Sequence, residues 1–475
     1  MNSYFIYRRH FINILKYKRL YSSYNNIPRI NNTSSIKSLN GSYWSLFQES
    51  SNFCFNTKAS QNAIKDEQFI NQLFKQALIP STPNNNSSNN DLICHCYDMF
   101  QTLDMPDKLK YIQYLYQQQY YISFLDQLYQ LPNGIKYLID IRFSLLKMLK
   151  QYPNEYQIIE HVEIILRDKL KNWVTDTSMI QQITWQSSAE IIEKICQYEA
   201  VHAVQDINDI KRRLGPDRRV FALFSKTSPI EPLVFIHVAL VPELATSIQT
   251  ILYSPMPHND GYSSLLKKRQ KQQVETTAMT SDFKYAICYS ITTQQGLGGI
   301  NLGNHLIKQV IYQLQQSYPT IHTFATLSPI PGFRHWLLTQ SNLVDELCDI
   351  GGFHWENLIP KITIDHPLKS KLLEFCARYI LKEKRESNDA LDPVANFHLR
   401  NGACVHKLHW LGDTSIKGLN ESFGIMVNYK YIPSSMNHHH QLYVKDNIIM
   451  LSEKTLSCLS DYVDDDHVLK LKNVN

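Results

Sequence analysis

The sequence predicts an α + α/β protein, a helical bundle followed by an α/β domain, and three observations point there. Residues of roughly 60 to 205 carry apolar side chains at the three- and four-residue spacing of helices packed on one face. Near residue 211 that pattern gives way to short apolar runs typical of strands. In the second half a strand, a glycine-rich turn, a helix and another strand follow one another over residues 284–327, which is one α/β unit. The chain has 475 residues, more than one ordinary domain needs, and 43% of them are hydrophobic. Both parts can therefore bury a core.

Taken in order, segments 107–131, 135–150 and 155–174 read as helices, and Pro132-Asn133-Gly134 as a break between two of them. Residues 81–91, with Asn84-Asn85-Asn86 and Asn89-Asn90, read as a polar loop. Nothing in residues 60–205 suggests catalysis, so this part is expected to serve assembly. Strands are expected at 219–225, 233–240 and 284–292, the second apolar enough to be covered on both faces. Pro242 to Leu252 reads as a helix, and 257–275, with Lys267-Lys268-Arg269, as an exposed loop. Helix 301–317, strand 321–327 and helix 367–382 follow, and past Tyr431 the chain reads as polar and irregular. The expected organisation is thus 1–48 leader, 60–205 helical, 206–431 α/β, and 432–475 polar extension.

Several function classes drop out. No stretch approaches the ~20 apolar residues a membrane-spanning helix needs. The net charge of +5 is small for this length and leaves nucleic acid an unexpected partner. The nine cysteines form no tight framework and read mostly as reduced thiols. Cys94-His95-Cys96 has the wrong spacing for a zinc knuckle, and the run His438-His439-His440 lies in a polar tail. No His-Glu-x-x-His motif occurs, so metal catalysis has no support. The first 48 residues combine Arg8, Arg9, Lys16, Lys18, Arg19, Arg29 and Lys37 with interleaved apolar residues, and the first acidic residue is Glu49. That is the signature of a mitochondrial presequence, with a disordered basic tail as the alternative. The final Asn473-Val474-Asn475 is not a peroxisomal address.

Two places could carry chemistry. The turn containing Gly298, Gly299 and Gly303 opens a helix, where unpaired backbone N–H groups and the helix dipole favour a phosphate. It matches neither the P-loop nor the dinucleotide fingerprint, which leaves a diphosphate of another kind, such as that of coenzyme A. Ser328 follows a strand and precedes Pro329 and Pro331, which stiffen the backbone around it. An ordinary loop serine is the alternative there, and no Gly-x-Ser-x-Gly elbow occurs. His398 lies between Asn396 and Asn401 in an otherwise apolar stretch, and a lone histidine is more often a satisfied structural residue than a catalyst.

From about residue 60 to Tyr431 the chain resembles the malonyl-CoA decarboxylase family. The resemblance is carried by Ile183-Thr184-Trp185, Tyr198 to His202, Lys211 to Arg219, Glu231-Pro232-Leu233, Ile236 to Leu240 and Tyr289-Ser290-Ile291. It continues through Leu327 to Phe333, Asn388 to Ala403 and Asn428 to Tyr431. It implies a helical oligomerisation domain, a GNAT-like catalytic domain, a homo-oligomer (a tetramer in this family) and a mitochondrial matrix location with a possible cytosolic pool. In that fold the pantetheine arm enters between two splayed strands. The implied reaction is decarboxylation of malonyl-CoA to acetyl-CoA and CO2 without a cofactor, controlling malonyl-CoA in fatty-acid metabolism. Catalysis is assigned to Ser328 and His398, with Tyr431 as a further positioning candidate. Acyl-CoA binding is assigned to Gly298, Gly299, Ile300, Asn301, Leu302, Gly303 and Asn304. Related acyltransferases carry Gln/Arg-x-x-Gly-x-Gly/Ala in this loop, whereas this chain has Gly298 first and Asn301 fourth. An acyltransferase acting on an amine and a non-catalytic acyl-CoA sensor are the rival readings.

Overall fold

The computed structural model describes residues 67–78, 86–254, 283–351, 362–452 and 468–470. The expected leader and the basic loop at 257–275 lie outside them. Gln68–Asn475 forms one compact unit, to which everything below belongs.

After a helix at Glu67–Ala77, five more helices follow in the unit: α1 (Asn86–Thr102), α2 (Met105–Gln117), α3 (Tyr121–Gln130), α4 (Gly134–Gln151) and α5 (Tyr156–Thr177). Residues 86–91, expected in a loop, form the first turns of α1 instead. The reason is the buried stripe Ile93, Cys96, Tyr97 and Phe100, whose helical spacing extends order back into a run of asparagines. Segment 107–131 forms two helices because Gln119 takes the left-handed conformation, at φ 57°. Asp104 caps α2 by accepting from the amide of Asp107. The break expected at Pro132-Asn133-Gly134 is present, with Asn133 left-handed. A Cβ on Gly134 would sit 2.1 Å from the Leu128 carbonyl oxygen, so only glycine fits there.

Among the described residues the second part is a ten-stranded sheet in the order β1-β2-β3-β4-β5-β8-β7-β9-β10, the last being Val468–Lys470, with β6 also paired to β8. Strands β2 (Arg218–Ser225), β3 (Val234–Val241), β4 (Tyr285–Thr293) and β5 (Thr323–Thr326) fall where expected. Seven of the eight β3 residues are buried, as a strand covered on both faces requires. Only Ile248–Leu252 of the expected 242–252 segment is helical. Helices α7 (Leu302–Ser317) and α8 (Lys369–Leu381) match expectation, while α6 (Ala189–Tyr198) precedes β2.

Six strands were not legible beforehand: β1 (Ser178–Ile183), β7 (Cys404–His409), β8 (Met426–Tyr431), β9 (Ile449–Leu451), and the short β6 and β10. In β7 and β8 the buried residues include His406, His409 and Asn428, and such polar groups break the alternation that marks a strand. The region past Tyr431, expected to be irregular, holds helix α10 (Met436–Asp446) and β9, which pairs in parallel with β7.

One feature of the sheet positions the site. Strands β4 and β5 pair in parallel from Tyr285↔Thr323 to Cys288↔Thr326. Beyond that, β4 runs on to Thr293, while the other chain bends into β6 (Ser328–Pro329) and pairs with Val427 and Met426 of β8. The two parallel strands therefore part at Cys288 and Thr326, as the acyltransferase-type reading requires.

Candidate active site

Ser328 stands where β5 and β4 separate, and its backbone is fixed by the antiparallel pairing of β6 with β8. Its Oγ donates to Thr326 Oγ1 at 2.9 Å and lies 3.1 Å from His398 Nε2. His398 belongs to α9 (Pro393–Arg400), which the sequence sets up with an aspartate cap and a proline in the first turn. Asp392 accepts from the amides of Val394 and Ala395. Burial still raises its carboxyl to about 6 against those two amides. The His398 ring stacks on Tyr429, with centroids 4.7 Å apart, and its Nδ1 lies 2.8 Å from the Tyr431 hydroxyl.

The Ser328 bond to Thr326 sets the proton assignment of the array. The single Ser328 proton is committed to Thr326, so the contact with His398 has Nε2–H as the donor. His398 is then the Nε2–H tautomer, and its bare Nδ1 accepts from Tyr431. Ser328, His398, Tyr431 and Thr326 are all buried. Burial pushes the His398 imidazole down to about 3, so it is neutral at physiological pH. Burial, with the Cys288 thiol adding to it, raises Tyr431 well above the usual phenol range. Among the described residues no carboxylate is ion-paired to His398, so this is not a Ser-His-Asp triad.

The glycine loop divides in two. Gly298, Gly299 and Asn301 are exposed, whereas Ile300, Leu302, Gly303 and Asn304 are buried. Only the outward set, which lies at the N-terminus of α7, can meet a diphosphate. Gly299 needs its lack of a side chain because φ is +79°. Gly303 is needed for a different reason: a Cβ there would meet the Phe397 ring at 2.6 Å. That contact seats the loop against the helix bearing His398. Asn304 Oδ1 and Asn401 Nδ2 are buried and have no hydrogen-bond partner among the described residues.

Three features escaped the sequence reading. Thr326 Oγ1 takes the serine proton and accepts from the Tyr429 amide, a role that an unremarkable threonine in a strand does not advertise. Arg142, in the helical part, reaches the glycine loop. A second buried cluster joins Glu199, His237 and Ser290. The tail beyond Tyr431 also reaches the site's support. Tyr443 on α10 accepts from the Ala390 amide and donates to Asn396 on α9. Of the three tail histidines, His439 is buried, and none joins the site.

Residues 178–467 match the family model for the malonyl-CoA decarboxylase C-terminal domain. The chain is 33% identical over 388 residues to "Malonyl-CoA decarboxylase, mitochondrial" of Anser anser anser, covering 76% of this chain and 72% of that one. The protein of the same description from Mus musculus is 32% identical, with 70% of each chain covered. Among solved structures, malonyl-CoA decarboxylase from Rhodopseudomonas palustris superposes with a TM-score of 0.67 at 27% identity. That match spans 82% of this chain and 98% of the other. The protein from Cupriavidus metallidurans gives a TM-score of 0.62 at 27% identity, over 85% and 100%.

Proposed function

We propose that this chain, which belongs to the malonyl-CoA decarboxylase family, converts malonyl-CoA to acetyl-CoA and CO2 at the Ser328–His398–Tyr431 array. The observation that supports this site most is a neutral, buried imidazole tied at both nitrogens to hydroxyl groups. Losing CO2 breaks the bond between the carboxylate carbon and the α-carbon and leaves the electron pair as an enolate on the thioester. The site must then exclude water, hold the thioester oxygen and deliver one proton. Desolvation at a buried site disfavours the substrate carboxylate, and its charge leaves that position as CO2 departs.

A thioester enolate is a far stronger base than imidazolate, so a neutral N–H is acid enough. Ser328 gives its proton to the α-carbon and recovers one from His398 Nε2. The imidazolate so formed, its Nδ1 still accepting from Tyr431, regains a proton at Nε2 from solvent as the products leave, which restores the starting tautomer. Each turnover consumes one solvent proton, as the stoichiometry demands. Before that transfer, the Ser328 hydroxyl can turn from Thr326 toward the thioester oxygen, where one such donor is worth roughly 3–4 kcal/mol. The outward amides at Gly298, Gly299 and Asn301 hold the diphosphate of coenzyme A in this reading. The location proposed is the mitochondrial matrix, on the strength of relatives described as mitochondrial. A homo-oligomer and a role in limiting malonyl-CoA for fatty-acid metabolism complete the proposal.

The test is to follow malonyl-CoA with the purified chain in deuterated water by mass spectrometry. Acetyl-CoA and CO2 should appear in equal amounts, with one deuterium in the acetyl methyl group. In Ser328→Ala the rate should fall by about 10²–10³-fold. Release of free CoA only when an amine is present would point to an acyltransferase, and binding without turnover to a sensor.

A further inference from the structure

The helical part contributes a buried cation to the glycine loop. Arg142 on α4 is 2% exposed, yet it sits on a helix that the sequence offered no reason to connect with the site. Its Nε and Nη2 donate to Glu163 Oε1 on α5 at 2.9 and 2.7 Å. Its Nη1 donates to two loop carbonyls, Gly296 at 2.6 Å and Gly298 at 2.8 Å. The approach is close because residue 296 has no side chain: a Cβ there would lie 2.1 Å from the Ile139 carbonyl oxygen of α4.

The consequence follows from peptide geometry. In a planar trans peptide the carbonyl of one residue and the N–H of the next point in opposite directions. Drawing the Gly298 carbonyl inward onto Arg142 therefore turns the Gly299 N–H outward, at a residue that is itself exposed and left-handed. The guanidinium also polarises that peptide from behind, and charge-assisted hydrogen bonds are roughly twice as strong as neutral ones. Glu163 keeps the buried cation paired and aims its fork. A lysine has the charge but only three donors and no planar fork, so it cannot keep all four of these bonds.

We infer that Arg142, oriented by Glu163, is a positioning residue that presents the backbone amides of the glycine loop to the diphosphate of the acyl-CoA substrate. The inference rests on the malonyl-CoA reading above, and it gives the helical part a share in substrate recognition.

The test compares two substrates, malonyl-CoA and malonyl-pantetheine, which lacks the nucleotide and its diphosphate. In Arg142→Lys and Arg142→Met, the KM for malonyl-CoA should rise about tenfold to a hundredfold, corresponding to loss of charge-assisted bonds. The kcat, and the kcat/KM for malonyl-pantetheine, should stay within about threefold of wild type. Glu163→Gln keeps an acceptor but removes the charge. It should show the same split at smaller size, and it reads the inference if Arg142→Met does not fold. A parallel loss with both substrates, or no loss with either, overturns it, because a residue that only stabilises the fold cannot tell them apart. If the wild-type chain binds coenzyme A but releases no CO2, the decarboxylase reading fails while this inference is still read by calorimetry. Weaker coenzyme A binding by Arg142→Lys at an unchanged melting temperature then supports it, and unchanged binding overturns it.

Discussion

Two buried clusters in this protein each pair a serine with a histidine, and they are built on opposite principles. Around His398 the partners are hydroxyls, Ser328 Oγ at 3.1 Å and Tyr431 Oη at 2.8 Å. Around His237, on β3, the neighbour is a carboxylate: Nε2 lies 3.2 Å from Glu199 Oε2. By residue type the second cluster looks more like a hydrolase triad, yet its geometry is that of a brace. Ser290 Oγ donates to Glu199 rather than to the histidine, at 2.8 Å from both oxygens. The remaining capacity of Glu199 is filled by the amides of Val201 and His202. Burial alone would raise that carboxyl, but the His237 ring, the His202 amide and the Ser290 hydroxyl bring it down to about 2. A group so fully satisfied holds the loop after α6 onto strands β3 and β4. The His398 ring is hydrogen-bonded to hydroxyls at both nitrogens, whereas the His237 ring has a carboxylate beside it that is already filled by other donors.

The sharpest way to break this contrast is to make the same substitution in both places. His398→Gln should lower kcat/KM by about 10²–10⁴-fold, the usual worth of a positioned proton donor. His237→Gln should leave kcat within about threefold. Steady-state assays on the folded fraction of each variant read the difference, and comparable losses would mean that the Glu199 cluster takes part in the chemistry.

The second cluster should instead fail in stability. Glu199→Ala leaves the Ser290 hydroxyl and two loop amides without their acceptor, each worth about 1–3 kcal/mol when buried. A total loss of about 3–5 kcal/mol in urea unfolding is expected, with kcat per folded molecule nearly unchanged. An unperturbed midpoint would show that water replaces the carboxylate and that the cluster braces nothing.

The same contrast explains how much could be read beforehand. Ser328, His398 and Tyr431 are far apart in the chain, and spacing alone left the serine and histidine with structural alternatives. Family resemblance singled them out, and the fold brings them within hydrogen-bond reach. Periodicity exposed the long apolar strands β2 to β4 and helix α7, because their burial is carried by apolar side chains. It failed at β7 and β8, where buried His406, His409 and Asn428 obey hydrogen bonding rather than hydropathy. Arg142 was hidden for a related reason. On a helix with apolar neighbours a lone arginine reads as a solvated residue, and only tertiary contact reveals two carbonyls and a glutamate around its fork.

The two clusters should also titrate in separate windows, a smaller effect that tests their charge states directly. The folded pKa of His398 is depressed to about 3, well below the ordinary value of 6.5, so the unfolded chain binds the extra proton first. Its contribution is complete above about pH 6.5 and is lost as pH falls toward 3. Glu199 is depressed from 4.5 to about 2, so its contribution holds above about pH 4.5 and is lost as pH falls through 2. Between pH 6.5 and 4.5 the histidine alone should cost about 2 kcal/mol, while Glu199 costs almost nothing. His202, depressed to about 4, adds a similar slope over that window and is present in every variant. His398→Gln should therefore flatten the stability profile between pH 6.5 and 4.5, and Glu199→Gln should flatten it only below. Urea midpoints across pH 7 to 2.5 read this. If His398→Gln leaves the upper window unchanged, the imidazole is already charged in the folded protein, and the proton relay from a neutral histidine has to be abandoned.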